Sequence, residues 1–181
     1  KRMISRLWVV GSNKNTESQI EQSLNVFLHL SEQHLQDRPY FFGSRPSIAD
    51  FGIWGQVYNM WTDPTVGQVI ESSHPETLKW IKRMLHPKLE GEFEPWESLE
   101  ATLMPILKKE LADVFMPWLE ANNKALATGE KELSLKIKGK DFTHSVGSPQ
   151  KYHAKSFAML LEEYNGIPDK TKLDAILQEA G

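Results

Sequence analysis

Ser47 and Asp50 stand three residues apart in the string RPYFFGSRPSIADF, which runs from Arg38 to Phe51. A serine hydroxyl beside a carboxylate has the groups of a nucleophile and its base. The same spacing also builds a helix start. Ser47 would accept a hydrogen bond from the Asp50 backbone N–H, and the Asp50 carboxylate would reach back to the Ser47 N–H. A negative charge in the first turn further opposes the positive end of the helix dipole. In that capping box both side chains are occupied by backbone groups and neither is free for substrate, so the pair reads as structural.

Other residues offer less. Six histidines fall at positions 29, 34, 74, 86, 144 and 153. None sits in a His-Glu-x-x-His frame, and the spacing of His29 and His34 puts them on different helix faces, so no metal site is expected. Arg2 and Arg6, one helical turn apart and near Trp8, could hold a carboxylate or form a solvated helix face. Tyr40, Phe41, Phe42, Trp54, Tyr58 and Trp61 recur at helical spacing and read as core more than as a ligand pocket. Gly52 and Gly55 lie mid-helix after no strand, so they are expected to let another helix approach and not to cradle phosphate. Lys136, Lys138 and Lys140 read as a charged strand edge that discourages pairing. No catalytic constellation assembles from these residues.

The elements that would position them follow from periodicity. Met3, Ile4, Leu7 and Val10 fit the last turns of a helix. Thr16 and Gln19 suggest a second capping box, opening an apolar stripe through Ile20, Leu24, Phe27, Leu28 and Leu35. The helix from Ser47 to about Trp61 is apolar on more than one side, which predicts a buried helix ended by Asp63-Pro64. Pro75 suits the first turn of the next, which ends near His86-Pro87. A loop over 87–97 precedes a long stripe from Ser98 to a stop at Gly129. Pro105 and Pro117 inside it should divide it into two or three segments. From residue 131 the period changes to two. A Gly139-Lys140 turn would pair Lys138 with Asp141, Ile137 with Phe142, Leu135 with His144 and Leu133 with Val146. The chain then returns to helix, closed at Gly166 and restarted at Pro168. The reading is mainly α: a helical core over 1–90, and a 91–181 extension with a β-hairpin near 131–146, packed on the same domain.

Composition bounds the function. With 181 residues, 40% hydrophobic and 25% charged, the chain has the make-up of a globular protein. A net charge of −3 is no footprint for nucleic acid or an anionic membrane. No apolar run is long enough to span a bilayer. The absence of cysteine removes disulfides and thiolate chemistry from this sequence and fits a cytoplasmic setting. Opening on Lys1 with no methionine before it, the chain is expected to be a piece of a longer protein.

The YFFG turn, the SIADF helix start and the helix PETLKWIKRM, in this order over residues 16 to 86, resemble the C-terminal all-helical domain of glutathione S-transferases. Beyond Pro87 the segment FMPWLEANNKAL, the hairpin and QKYHAKS are similar to a bacterial transferase-like subgroup with an extended C-terminus. The resemblance implies an N-terminal thioredoxin-like domain outside this sequence, which would bind glutathione and carry the thiol-activating residue. No catalytic or cofactor-binding residue can therefore be assigned here. This half would supply the electrophile pocket, with Arg6 and Trp8 in the position where the family places part of it, and a homodimer interface. Apolar surface should lie open where the other domain docks. The alternative is a non-catalytic member serving as a binding or assembly module.

Overall fold

The computed structural model describes residues 12–145 and 150–181. The expected helix tail over Met3–Val10, the pocket candidates Arg6 and Trp8, and the pairing partner Val146 lie outside the described residues. Among the described residues the fold is mainly α with one two-stranded antiparallel hairpin near the C-terminus. The helices are α1 (Glu17–His34), α2 (Ile48–Trp61), α3 (Pro64–Ser73), α4 (Pro75–Arg83) and α5 (Trp96–Ile106). A π-helical segment (Leu107–Phe115) follows, then α6 (Met116–Thr128), β1 (Glu132–Ile137), β2 (Lys140–Ser145), α7 (Lys151–Asn165) and α8 (Thr171–Ala180). Among the described residues no helix is long and apolar enough to cross a membrane.

The described residues divide into two compact units, Leu24–Ile106 and the others. The first has the larger apolar core. Leu28 and Leu35 of α1, Val57 of α2, Ile70 of α3, Trp80 and Ile81 of α4, and Leu99 and Leu103 of α5 are buried together with Tyr40 and Phe41. Asp63 caps α3 through its carboxylate, accepting from the N–H groups of Thr65 and Val66, with Pro64 in the first turn. Periodicity overlooked this short helix because Asp63-Pro64 also reads as a helix stop. The same dipeptide ends α2 and begins α3.

The start of α4 is capped from a distance. His74 precedes it without a side-chain cap bond. Instead, the Glu32 carboxylate on α1 accepts from the N–H groups of Glu76 and Thr77, both at 2.9 Å, and from the Thr77 hydroxyl at 3.0 Å. Two otherwise orphaned donors and the positive end of the helix dipole are thereby satisfied by one charge.

Two expectations for α2 are corrected. Within the helix only Asp50 and Val57 are buried, while Ile48 is 91% exposed and Phe51 44% exposed. The side carrying Asp50, Trp54, Val57 and Trp61 faces the core, and the opposite side, with Ile48, Gly52, Gly55 and Asn59, does not. A Cβ added at Gly52 or Gly55 would meet nothing within 4 Å, so neither glycine admits a neighbouring helix.

In the second unit α6 lies against β1. Pro105 and Pro117 each remove a ladder hydrogen bond, and the stretch between them winds into the wider π form. The prolines thus split the long helix as expected, and Gly129 closes it at φ 73°. Glu110 on the π segment takes the Ser23 hydroxyl and the Lys138 ammonium of the hairpin turn. Asn122, fully buried, holds the Gln150 backbone at the start of α7 through both its amide oxygen and its amide nitrogen.

The hairpin register differs from expectation. Ile137 pairs with Lys140, Leu135 with Phe142 and Leu133 with His144, so the turn is Lys138-Gly139. Both turn residues have positive φ, 50° and 79°, the signature of a type I′ turn. The two registers differ by two residues in the partner, which leaves every side chain on its expected face. The apolar pattern therefore could not separate them, and the turn twist decided. The Thr16–Gln19 box is also not reciprocal: Thr16 N–H bonds the Asn13 carbonyl, and the Gln19 amide reaches the Asp141 carbonyl at 2.9 Å. At the C-terminal end, α8 starts at Thr171 and not at Pro168.

Replacing Glu32 with alanine should lower stability by about 1–2 kcal/mol, the upper range of a charged helix cap. Urea unfolding midpoints of the two proteins check this.

Candidate functional site

The loop before α2 is fixed by one carboxylate. Asp50 has no exposed surface. Its Oδ2 accepts from the Ser47 N–H at 2.8 Å and the Ser47 hydroxyl at 2.6 Å, while the Asp50 N–H donates to Ser47 Oγ at 3.3 Å. This is the capping box expected from the sequence, and both side chains are engaged by it. Oδ1 does more than the spacing suggests. It accepts from the Phe41 N–H at 2.9 Å and from the Trp80 indole N–H at 3.0 Å. One side chain thus joins the loop, the start of α2 and the middle of α4.

His34 is buried on the other side of the same loop. Its Nε2 lies 2.8 Å from the Phe41 carbonyl, so Nε2 carries the proton, and Nδ1 accepts from the Thr102 hydroxyl at 2.7 Å. Arg38 donates to Thr102 Oγ1, to the His34 carbonyl and to the Ser98 carbonyl, and forms an ion pair with Glu94 at 3.4 Å. Burial holds the His34 ring below the ordinary histidine pKa; the bond to the Phe41 carbonyl opposes this, and Arg38 adds to it. Burial likewise lowers His74, against the pull of Glu32.

Loop 39–44 also forms one wall of a concave site of about 620 Å³. Pro39, Tyr40 and Ser44 line one side, Lys82 and Arg83 at the end of α4 another, and His86, Lys88, Glu90 and Gly91 the third. Arg83 donates to the Pro39 carbonyl at 2.6 Å and lies 5.7 Å above the Tyr40 ring. The two loops are joined by backbone bonds: Ser44 N–H to the Glu92 carbonyl at 3.0 Å, and Glu94 N–H to the Phe42 carbonyl at 2.8 Å. The approach requires glycine at two points. Gly43 and Gly91 have φ of +125° and +95°, and a Cβ on either would lie under 3 Å from the facing loop.

Of the residues singled out in the sequence, Ser47 and Asp50 come together as a cap. Tyr40 and His86, also singled out there, line the concave site, which draws as well on Arg83, Lys82 and Lys88, which the sequence reading passed over. Their signal was the basic cluster Lys82-Arg83 followed by Lys88, set within a chain of net negative charge. Among the described residues, no group of three or more His, Cys, Asp or Glu side chains is placed to hold a metal ion.

Residues 14–83 match the family model described as the C-terminal domain of glutathione S-transferase. The match covers α1 to α4, with Asp50 and Trp80, and ends at Arg83. No curated protein and no solved structure matches the chain.

Two outcomes test the buried groups. An ordinary cap costs about 1 kcal/mol on removal. Asp50→Ala strands two further buried donors, the Phe41 N–H and the Trp80 indole N–H, each worth about 1–3 kcal/mol, so a loss on the order of 3–7 kcal/mol is expected. Ser47→Ala should cost only about 1 kcal/mol; comparable losses from both in urea unfolding would show that Asp50 acts as a cap alone. The second concerns pH. With folded-state pKa values lowered, the neutral rings of His34 and His74 favour folding. Their contribution is complete above an ordinary histidine pKa of about 6.5 and falls as pH drops from there to the lowered values. His34→Gln keeps a donor for the Phe41 carbonyl and removes the titration. Its thermal midpoint should fall less between neutral and mildly acidic pH, with the residue of the slope left by His74.

Proposed function

We propose that this chain is the C-terminal part of a glutathione S-transferase-like protein and that it supplies the electrophile-pocket side of a glutathione-conjugating enzyme. The observation that carries the reading is the family match over 14–83, in a segment whose helix start is tied by Asp50 to Phe41 and Trp80. In the reaction, a glutathione thiolate attacks the electrophilic carbon, a carbon–sulfur bond forms, and a leaving group departs or a proton is taken up. The thiol needs a lowered pKa. Under this reading a thioredoxin-like domain outside the sequence provides that environment. The helical part excludes water and offers apolar walls to the electrophile. Ile48 and Phe51, open on α2, are surface of the kind that such a domain would cover.

The full-length protein should be retained on immobilised glutathione and should conjugate it to an activated aryl halide. The 181-residue chain alone should do neither. Full-length protein that neither binds nor turns over glutathione would end the enzymatic reading and leave a binding or assembly module with the same helical fold. Conjugation by the isolated chain, surviving removal of contaminating enzyme, would overturn the placement of the chemistry in another domain.

A further inference from the structure

We propose that the concave site between loop 39–44, the end of α4 and the 86–91 loop binds a small anion with at least two negative charges on phosphate or carboxylate oxygens, independently of any glutathione chemistry. Four observations on this site lead there.

Its charge is one-sided: Lys82, Arg83 and Lys88 face it, against Glu90 alone. The formal balance, three positive and one negative, leaves an excess of two positive charges in a chain whose total is −3. None of these three cations has a carboxylate within ion-pair distance among the described residues. A concave wall concentrates the field of such charges more than a flat surface does.

Lys82 and Arg83 are not tied up by hydrogen bonds to the end of their helix. Basic residues in a last turn commonly satisfy terminal carbonyls. Here the carbonyls of Trp80, Lys82 and Arg83 accept instead from the N–H groups of Met84, Leu85 and His86. That leaves the side-chain charges of Lys82 and Arg83 available.

Arg83 is also pre-oriented. One guanidinium nitrogen is tethered to the Pro39 carbonyl and the group is held over Tyr40. The rest of its planar fork makes no other protein hydrogen bond among the described residues, and a fork of this kind matches the paired oxygens of a phosphate or carboxylate.

The wall itself is built to hold its shape. The Gly43 and Gly91 approach, with the Ser44 hydroxyl accepting from the Glu92 N–H at 2.9 Å, fixes the two loops against each other. A volume of about 620 Å³ is in the range of small-ligand sites.

The chemistry shared by the ligands is a pair of negative charges on planar or tetrahedral oxygen groups. Inorganic pyrophosphate and succinate probe the phosphate and dicarboxylate sources. Titrating each into the protein, with amide shifts followed by NMR, should move the resonances of Ser44 and Gly91, and the tighter probe identifies the source. Lys82→Gln/Lys88→Gln removes two charges that form no ion pair among the described residues, so the fold should be unchanged. It should weaken binding by about tenfold, the combined effect of two exposed charge interactions. Unchanged affinity in that double variant, shifts confined to other parts of the chain, or no binding of either probe would overturn the proposal. None of these results bears on glutathione conjugation by the full-length protein, so the two readings fail separately.

Discussion

Phe41 is held through both its backbone N–H and its carbonyl by groups that have no exposed surface. Its N–H donates to Asp50, its carbonyl accepts from His34, and its ring lies between the His34 ring at 5.5 Å and the Trp80 ring at 5.4 Å. Asp50 and His34 come from different helices, and Trp80 from a third. Three helices of the Leu24–Ile106 unit therefore meet on a single loop residue. An apolar contact alone would tolerate rotation about that point. Hydrogen bonds to a fixed peptide do not, since each has a direction and its loss would strand a buried polar group.

The arrangement also sets protonation and orientation through these protein groups. The Phe41 carbonyl fixes the His34 tautomer, and this leaves Nδ1 to accept from Thr102. Thr102 in turn accepts from Arg38, and Arg38 reaches Glu94 next to the backbone bond that joins the two loops. The interior thus holds a neutral ring and one charge, the Asp50 carboxylate, which accepts from four donors. Such an arrangement avoids the desolvation cost that an unpaired buried charge would carry.

Much of this was legible in the sequence, and the boundary has physical causes. Helix positions and the Ser47–Asp50 cap follow from local rules, because a capping box acts over three residues. What acts at a distance was not visible: Glu32 capping α4 across more than forty residues, or Trp80 as the partner of Asp50. Polarity on its own does not say which side of an all-round apolar helix meets the core, so the open side of α2 was missed. The hairpin failed for a different reason. Two registers kept Leu133, Phe142 and His144 on the same face, and only the twist of the Lys138-Gly139 turn distinguished them. The candidate anion site was hidden because loop 39–44 is far in sequence from the 82–91 stretch that forms its other walls, and neither bears a motif.

That site and the Phe41 knot share their parts. Loop 39–44 is one wall of the concavity, and the residue between Tyr40 and Phe42 is the one that Asp50 and His34 clamp. Trp80 and Arg83 lie one turn apart on α4, the first bonded to Asp50 and the second to the Pro39 carbonyl. The helix is consequently attached to the loop at two points, and the distance between the Arg83 fork and the loop wall is set by both. A loosened Asp50 network would release the loop that carries Pro39, Tyr40 and Ser44, and with it the geometry of the cationic wall. In this unit the stability of the helical scaffold and the shape of its charged cleft depend on the same buried carboxylate.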